Sequence, residues 1–244
     1  FPYLGMAIFI GILALAVKKS PLPELLNEDE AAENTDKGQL KAALSHPNLA
    51  FGVLALFVYV AVEVIAGDTI IAYGISLGFP AADAKFFTTF TLLAMVATYA
   101  LGVFLIPRYI NQAFALKASA VLGIVLTFGI VFTTGYVSVL FVAALGIANA
   151  LVWPAVWPLT LKGLGKFTKT ASALLIMAIS GGAIIPPLYG KLIDGNKAAL
   201  MANGMGEAAA SAEAATAGYW ILLPCYLIIL YYAISGHKLG LKKG

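Results

Sequence analysis

The chain has 244 residues, of which 61% are hydrophobic and 11% charged, against about 45 to 50% and about 25% in soluble domains. A water-soluble fold of this size cannot hide so much apolar surface, and a single cysteine excludes a disulfide framework. The net charge of +3 matters less than its distribution, because the charges lie between long apolar runs.

Seven runs of roughly spanning length are predicted, over 1–17, 49–77, 86–106, 115–133, 137–158, 171–192 and 217–235. They are too long for strands and show no alternation of apolar and polar residues, so the predicted class is an all-α polytopic membrane protein. Small residues such as Ala178 and Gly182, one turn apart, allow helices to approach closely. Orientation follows from the basic residues. If the first run enters from outside, only Lys85, Lys191 and Lys197 of the 15 fall outside, which puts the C-terminus in the cytoplasm.

The first run starts at Phe1 and Pro2 with no basic segment or cleavage site before it, so it does not read as a signal peptide. It reads as the cut end of a longer chain, although a seven-helix protein lacking its first few residues would look the same. The stretch 18–48 is the main break in composition, with Pro21, Pro23, an acidic cluster and a short helix expected around Gln39 to Leu44. A charged linker between two bundles has this character.

The second run carries Glu63 at its midpoint, and a carboxyl held in lipid is by default a functional group. Asp68 follows five residues later, roughly 7.5 Å along and about 140° around the axis, so the two carboxyls do not share a face. Gly67 between them would permit a break that exposes backbone groups to a cavity. The duller readings are a Glu63 carboxyl bonded to a neighbouring helix and an Asp68 that reaches the outer interface.

The fifth run places Asn149 at about the depth of Glu63, with Trp153 and Trp157 following on the same face at i+4 and i+8. An amide and an indole facing a carboxylate suit a sugar, whose hydroxyls pair with the polar atoms and whose apolar face stacks on the ring. Trp157 also suits the aromatic belt of the inner interface. Pro154 and Pro158 should bend or end this helix. In the sixth run Ser180, Gly181 and Gly182 fall at mid-depth, and Pro186 with Pro187 is expected to disrupt the outer half; close packing is the alternative role of the glycines. The Ala-rich stretch 196–216 allows a surface helix.

Other chemistries find little support. Thr160 stands where a phosphate-binding loop ending at Gly165 and Lys166 would need its first glycine, His46 and His237 lack carboxylate or cysteine neighbours, and no basic aromatic stripe points to nucleic acid. Neither a metal nor another cofactor is expected, and the chain does not read as an enzyme.

The stretch GIANALVWPAVWPLTLKGLGKFTKTASALLIMAISGGAIIPPLYG, from Gly146 to Gly190, closely resembles the tenth and eleventh helices of the fucose permease and glucose/galactose porter branch of the major facilitator superfamily. FVYVAVEVIAGDTIIAYG, from Phe57 to Gly74, is similar to the seventh helix of that branch. Gly102 with Pro107, Arg108 and Tyr109 resembles the basic turn between its eighth and ninth helices. The resemblance implies that 1–17 is the last helix of the N-terminal half, 18–48 the cytoplasmic central loop, and 49–244 the C-terminal six-helix bundle of a twelve-helix carrier.

It further implies alternating access, uptake of a monosaccharide of the glucose/galactose or fucose type coupled to a proton or another cation, and residence in a bacterial inner membrane. The partners implied are membrane lipid and the N-terminal half of the same polypeptide, which would hold most of the coupling carboxylates. Glu63 falls on the polar position of the seventh helix, favouring the glucose/galactose type, and Asn149 on the asparagine of the tenth. Trp153, Trp157 and Asp68 depart from the family pattern. The candidate binding residues are therefore Glu63, Asn149, Trp153 and Tyr59, followed by Asp68, Ser180, Gly181, Gly182 and Trp157. A carrier of another solute with this fold, or a seven-helix membrane protein of another family, remains the alternative.

Overall fold

The computed structural model describes residues 2–18, 42–106 and 108–240. Its internal contacts divide the chain into two units, Phe1–Lys37 and Gly38–Gly244. The first contains α1, Pro2–Lys18, whose side chains from Tyr3 to Ala16 are exposed. Most of the expected charged linker lies outside the described residues, apart from a helical turn at residues 42–44 within the short helix expected there.

The second unit contains six helices long and apolar enough to cross a membrane, as the last six runs predict. They are α2 (Pro47–Asp68), α4 (Ala81–Leu105), α5 (Gln112–Phe132), α6 (Gly135–Leu161), α7 (Gly165–Ala202) and α8 (Glu207–Lys238), with a short helix α3 (Ile70–Ser76) between α2 and α4. Helix α2 is the centre of the bundle. Leu56, Tyr59, Val62 and Ile65 on it are wholly enclosed, and it packs against α6, α7 and α8. Helix α4 buries only Ala84, Phe87, Thr91 and Gly102, and leaves most of its apolar surface outside the bundle.

The helices break where a backbone hydrogen bond is missing or diverted. Pro154 has no N–H for the carbonyl of Ala150, and α6 divides there into Gly135–Ala150 and Val152–Leu161, with Pro158 inside the second piece. Pro224 leaves the carbonyl of Trp220 in the same state, and α8 tightens at Tyr219–Ile221. Two expected breaks fall elsewhere. The interruption after α2 is at Thr69, whose hydroxyl donates to the Ile65 carbonyl at 2.7 Å. The carbonyl of Gly67 does not open onto a cavity as expected; it accepts a hydrogen bond from the Thr88 hydroxyl of α4 at 2.9 Å.

In α7 the segment Gly181–Ala202 runs straight through Pro186 and Pro187, contrary to the expected disruption, and the tight turn lies earlier at Ala178–Ser180. Proline fixes φ near the helical value, so a pair of prolines removes two hydrogen bonds without forcing the chain out of the helix. Part of the Ala-rich stretch is helical as expected, at the end of α7 and the start of α8. Lys197 and Glu207 join across the intervening turn at 3.0 Å.

At one end of the bundle Asn48 ties three helices together. Its amide donates to the carbonyls of Leu159 and Thr160, both at 3.1 Å, and its oxygen accepts from the Tyr232 hydroxyl at 3.0 Å. His237, which has no carboxylate or cysteine nearby in sequence, meets the Tyr232 carbonyl at 3.0 Å. At the other end the Tyr73 hydroxyl bonds Ser138 and Thr216, joining α3 to α6 and α8.

Close approach of α7 to α2 depends on the glycine pair. A Cβ at Gly181 would collide with the Phe57 carbonyl oxygen, and one at Gly182 would come within 2.9 Å of a Val60 methyl. The obstacle at Gly181 is backbone, so Gly181→Ala should force the helices apart and cost about 1–3 kcal/mol. Gly190→Ala on the same helix meets nothing within 4 Å and should leave the protein as stable or slightly more so. Thermal melting in detergent checks the pair; equal melting temperatures for the two variants would contradict the packing role.

Candidate functional site

Four spans bring polar groups together at the middle of the bundle. Glu63 of α2 is half-buried, and the influences on its carboxyl are its enclosure and the Tyr59 hydroxyl, with no cation among them. Tyr59 lies one turn earlier on α2 and is wholly enclosed. Its hydroxyl faces both the Glu63 carboxyl and the Tyr99 hydroxyl of α4, yet makes no hydrogen bond of good geometry. Helix spacing accounts for the alignment, since residues four apart share a face.

Asn149 lies in the last turn of the first piece of α6, only 1% exposed. Its oxygen accepts a hydrogen bond from the Tyr226 hydroxyl of α8 at 2.8 Å, while its Nδ2 is buried with no partner among the described residues. Tyr226 is itself within electrostatic reach of Glu63. Unpaired buried donors are uncommon, because each forfeits its hydration without recompense. Here two such atoms, Tyr59 Oη and Asn149 Nδ2, belong to a cluster built around one carboxyl.

The other candidates are placed differently. Trp153 and Trp157 are both half-buried and stack on one another, with ring centroids 5.7 Å apart and planes 18° from parallel. Gly181 and Gly182 are packing residues against Phe57, Val60 and Val64 of α2, and Ser180 is exposed at the start of their helix. Asp68 is exposed beyond the end of the cluster and lines a separate cavity. Tyr99 and Tyr226 belong to the cluster although the sequence reading omitted them. Both lie near the midpoints of their runs, so a count of polar tips by depth would have found them. No group of three or more histidine, cysteine or acidic side chains suited to a metal occurs among the described residues.

Removing the Tyr226 hydroxyl would leave Asn149 with both amide atoms unpaired. Tyr226→Phe should therefore cost about 1–3 kcal/mol, whereas Tyr231→Phe, at a 46% exposed position, should be close to neutral. Melting of the two variants in detergent measures the difference, and an unchanged Tyr226→Phe would show that the pairing carries no weight.

No family model matches the chain. The chain is similar to the glucose/galactose transporter of Brucella abortus, with 30% identity over 98% of this chain and 53% of that protein. It is also similar to the L-fucose-proton symporter of Haemophilus influenzae, with 25% identity over 98% of this chain and 53% of that protein. In three dimensions it matches a crystal structure of the major facilitator superfamily transporter FucP in the outward conformation, with TM-score 0.69 and 24% identity over 95% of this chain and 53% of that one. The Escherichia coli fucose:proton symporter crystal structure matches at TM-score 0.71 and 23% identity, again over 95% and 53%. The chain thus spans about half the length of the relatives it matches. Its six membrane-length helices have the fold of half such a transporter, and over that half the chain is similar to the glucose/galactose and fucose transporters of the major facilitator superfamily.

Proposed function

We propose that this chain is the C-terminal half of a monosaccharide carrier, working by alternating access against an N-terminal half and coupled to a proton or another cation. Residues 1–17 would then be the last helix of the N-terminal half, 18–48 the cytoplasmic central loop, and 49–244 the C-terminal bundle in a bacterial inner membrane. The observation that carries the reading is Glu63, a half-buried carboxyl at mid-span that makes no ion pair among the described residues and has the Tyr59 hydroxyl turned toward it, with Tyr99 behind that hydroxyl. A carboxylate accepts two or more hydrogen bonds, which vicinal sugar hydroxyls supply, and a neutral polyol leaves no second charge in the membrane.

The cluster separates groups that a solute reaches at once from groups that stand behind them. Glu63 is half-buried and Tyr99 is 38% exposed, so these two are accessible from outside the bundle, as is the half-buried Trp153 beside Trp157. Tyr59 and Asn149 are enclosed, and their unpaired atoms come into use when the helices move. The break in α6 at Leu151 lies two residues after Asn149, where a small change of angle would turn its amide. Similarity to glucose/galactose transporters and L-fucose-proton symporters supports the sugar and the coupled cation.

Glu63→Gln in the complete carrier should weaken sugar binding by roughly 1.5–3 kcal/mol, the range for hydrogen bonds to charged groups. Binding titrations with glucose, galactose and fucose measure this, and unchanged affinity for all three would remove Glu63 from the site. Trp153→Ala should weaken binding more than Trp157→Ala at equal expression, because Trp153 lies nearer the depth of Glu63. Equal losses or the reverse order would assign the stacked pair a structural role only.

A further inference from the structure

Helix α8 meets a buried asparagine at two levels. At one end of the bundle the Tyr232 hydroxyl donates to the oxygen of Asn48 at 3.0 Å, and the Asn48 amide nitrogen donates in turn to the carbonyls of Leu159 and Thr160. At mid-span the Tyr226 hydroxyl donates to the oxygen of Asn149 at 2.8 Å, but Asn149 Nδ2 has no partner among the described residues. The two pairs share their chemistry and differ in one respect: the first is complete, and the second lacks an acceptor. Asn149 is 1% exposed, and an amide N–H so placed has given up its hydration with nothing in return. A pair that served only to hold helices together would be finished as the Asn48 pair is.

The orientation of the Asn149 amide follows from a count of partners. As placed, the Tyr226 proton and the Asn149 oxygen satisfy each other, and Nδ2 alone is left over. Turned over, the amide would offer Nδ2 to the Tyr226 oxygen, and both the Tyr226 proton and the amide oxygen would lack partners. Tyr226 therefore fixes which end of the amide is free, and that end is a donor. Room for its ring is made on α5, where a Cβ at Gly123 would collide with it. Tyr226 is itself wholly enclosed, so it acts on a solute only through Asn149. Glu63 lies within electrostatic reach of Tyr226, and the free donor thus belongs to the neighbourhood of that carboxyl.

We propose that Tyr226 is a positioning residue for solute recognition, which occupies the Asn149 oxygen and so presents Nδ2 as a fixed donor to the oxygen of a sugar hydroxyl. This rests on the sugar reading above and adds a polarity to it. Glu63 accepts from a hydroxyl and needs its proton, whereas Asn149 donates to one and needs its lone pair. Asn149 reaches the solute when α6 changes angle at Leu151. Analogues separate the two kinds of contact. Replacing a hydroxyl by fluorine removes the proton and keeps a weak acceptor, and replacing it by hydrogen removes both.

The test is calorimetric titration of the complete carrier in lipid nanodiscs with whichever of glucose, galactose and fucose binds most tightly, and with its monodeoxy and monodeoxyfluoro analogues. At one hydroxyl position the deoxy analogue should bind about fivefold more weakly than the fluoro analogue, the size of one neutral hydrogen bond. That difference should disappear in Asn149→Ala and in Tyr226→Phe, which keeps the asparagine but frees its amide to turn. Gly123→Ala, which crowds the ring away from Asn149 without removing the hydroxyl, should act in the same way. Tyr226→Phe should weaken binding of the parent sugar severalfold, yet have no further effect when added to Asn149→Ala; loss of packing alone would act equally in both backgrounds. The proposal is overturned if no position distinguishes fluorine from hydrogen, if the difference survives Asn149→Ala or Tyr226→Phe, or if Tyr226→Phe weakens binding equally with and without Asn149. Any of these outcomes beside a loss of binding in Glu63→Gln leaves the sugar reading intact, whereas failure of all three sugars to bind overturns that reading and this proposal together.

Discussion

A polar group on a membrane-length helix has no water to fall back on, and its partner must come from another helix or from a solute. That constraint organises this bundle. Helix α2 sits at the centre with its apolar residues enclosed on several sides, and each polar group near it is met by a neighbour: Asn48 by Tyr232 and the end of α6, Gly67 by Thr88 of α4, Thr69 by its own helix. The buried polar atoms without a partner among the described residues are Tyr59 Oη, Asn149 Nδ2 and Thr91 Oγ1 of α4, the first two in the cluster around Glu63. The proposed site rests on that incomplete set around Glu63.

The two ends of the bundle differ from its middle in kind. Asn48, Thr160 and Tyr232 form a saturated knot at one end, and Tyr73, Ser138 and Thr216 a second at the other. Between them lie the tight turn of α7 and the break in α6, places where backbone hydrogen bonding is already reduced. Ends that are tied and a middle that is interrupted allow a helix to change its angle around mid-depth without unravelling.

Much of the fold was legible in the sequence because lipid imposes a length and a composition on each span. The six apolar runs from 49 onward correspond to the six long helices, and Pro154 breaks α6 through a carbonyl it cannot serve. What escaped depends on which faces meet. Gly67 was read as a break, yet its carbonyl is occupied by Thr88, and nothing local to Gly67 announces that α4 passes there. Pro186 and Pro187 were read as a disruption, but they share the helical φ and the turn falls earlier.

Among the candidate residues, Glu63 and Asn149 stood out as polar groups in apolar runs, and Trp153 followed from its spacing to Asn149. Tyr99 and Tyr226 did not, because a tyrosine in an apolar run passes for a core aromatic until its hydroxyl is seen to point at a carboxyl or an amide. Burial was equally invisible, and it divides the cluster into Glu63 and Tyr99 in front and Tyr59 with Asn149 behind.

The claim on which the account rests is that the Glu63 carboxyl touches the transported solute. Infrared difference spectroscopy of the complete protein, with and without sugar, reads that contact directly, since hydrogen bonding to a carboxyl shifts its stretching bands. The account predicts a sugar-induced carboxyl band that disappears in Glu63→Gln and is retained in Asp68→Asn. A difference spectrum with no carboxyl band, or one unchanged by Glu63→Gln, would contradict it.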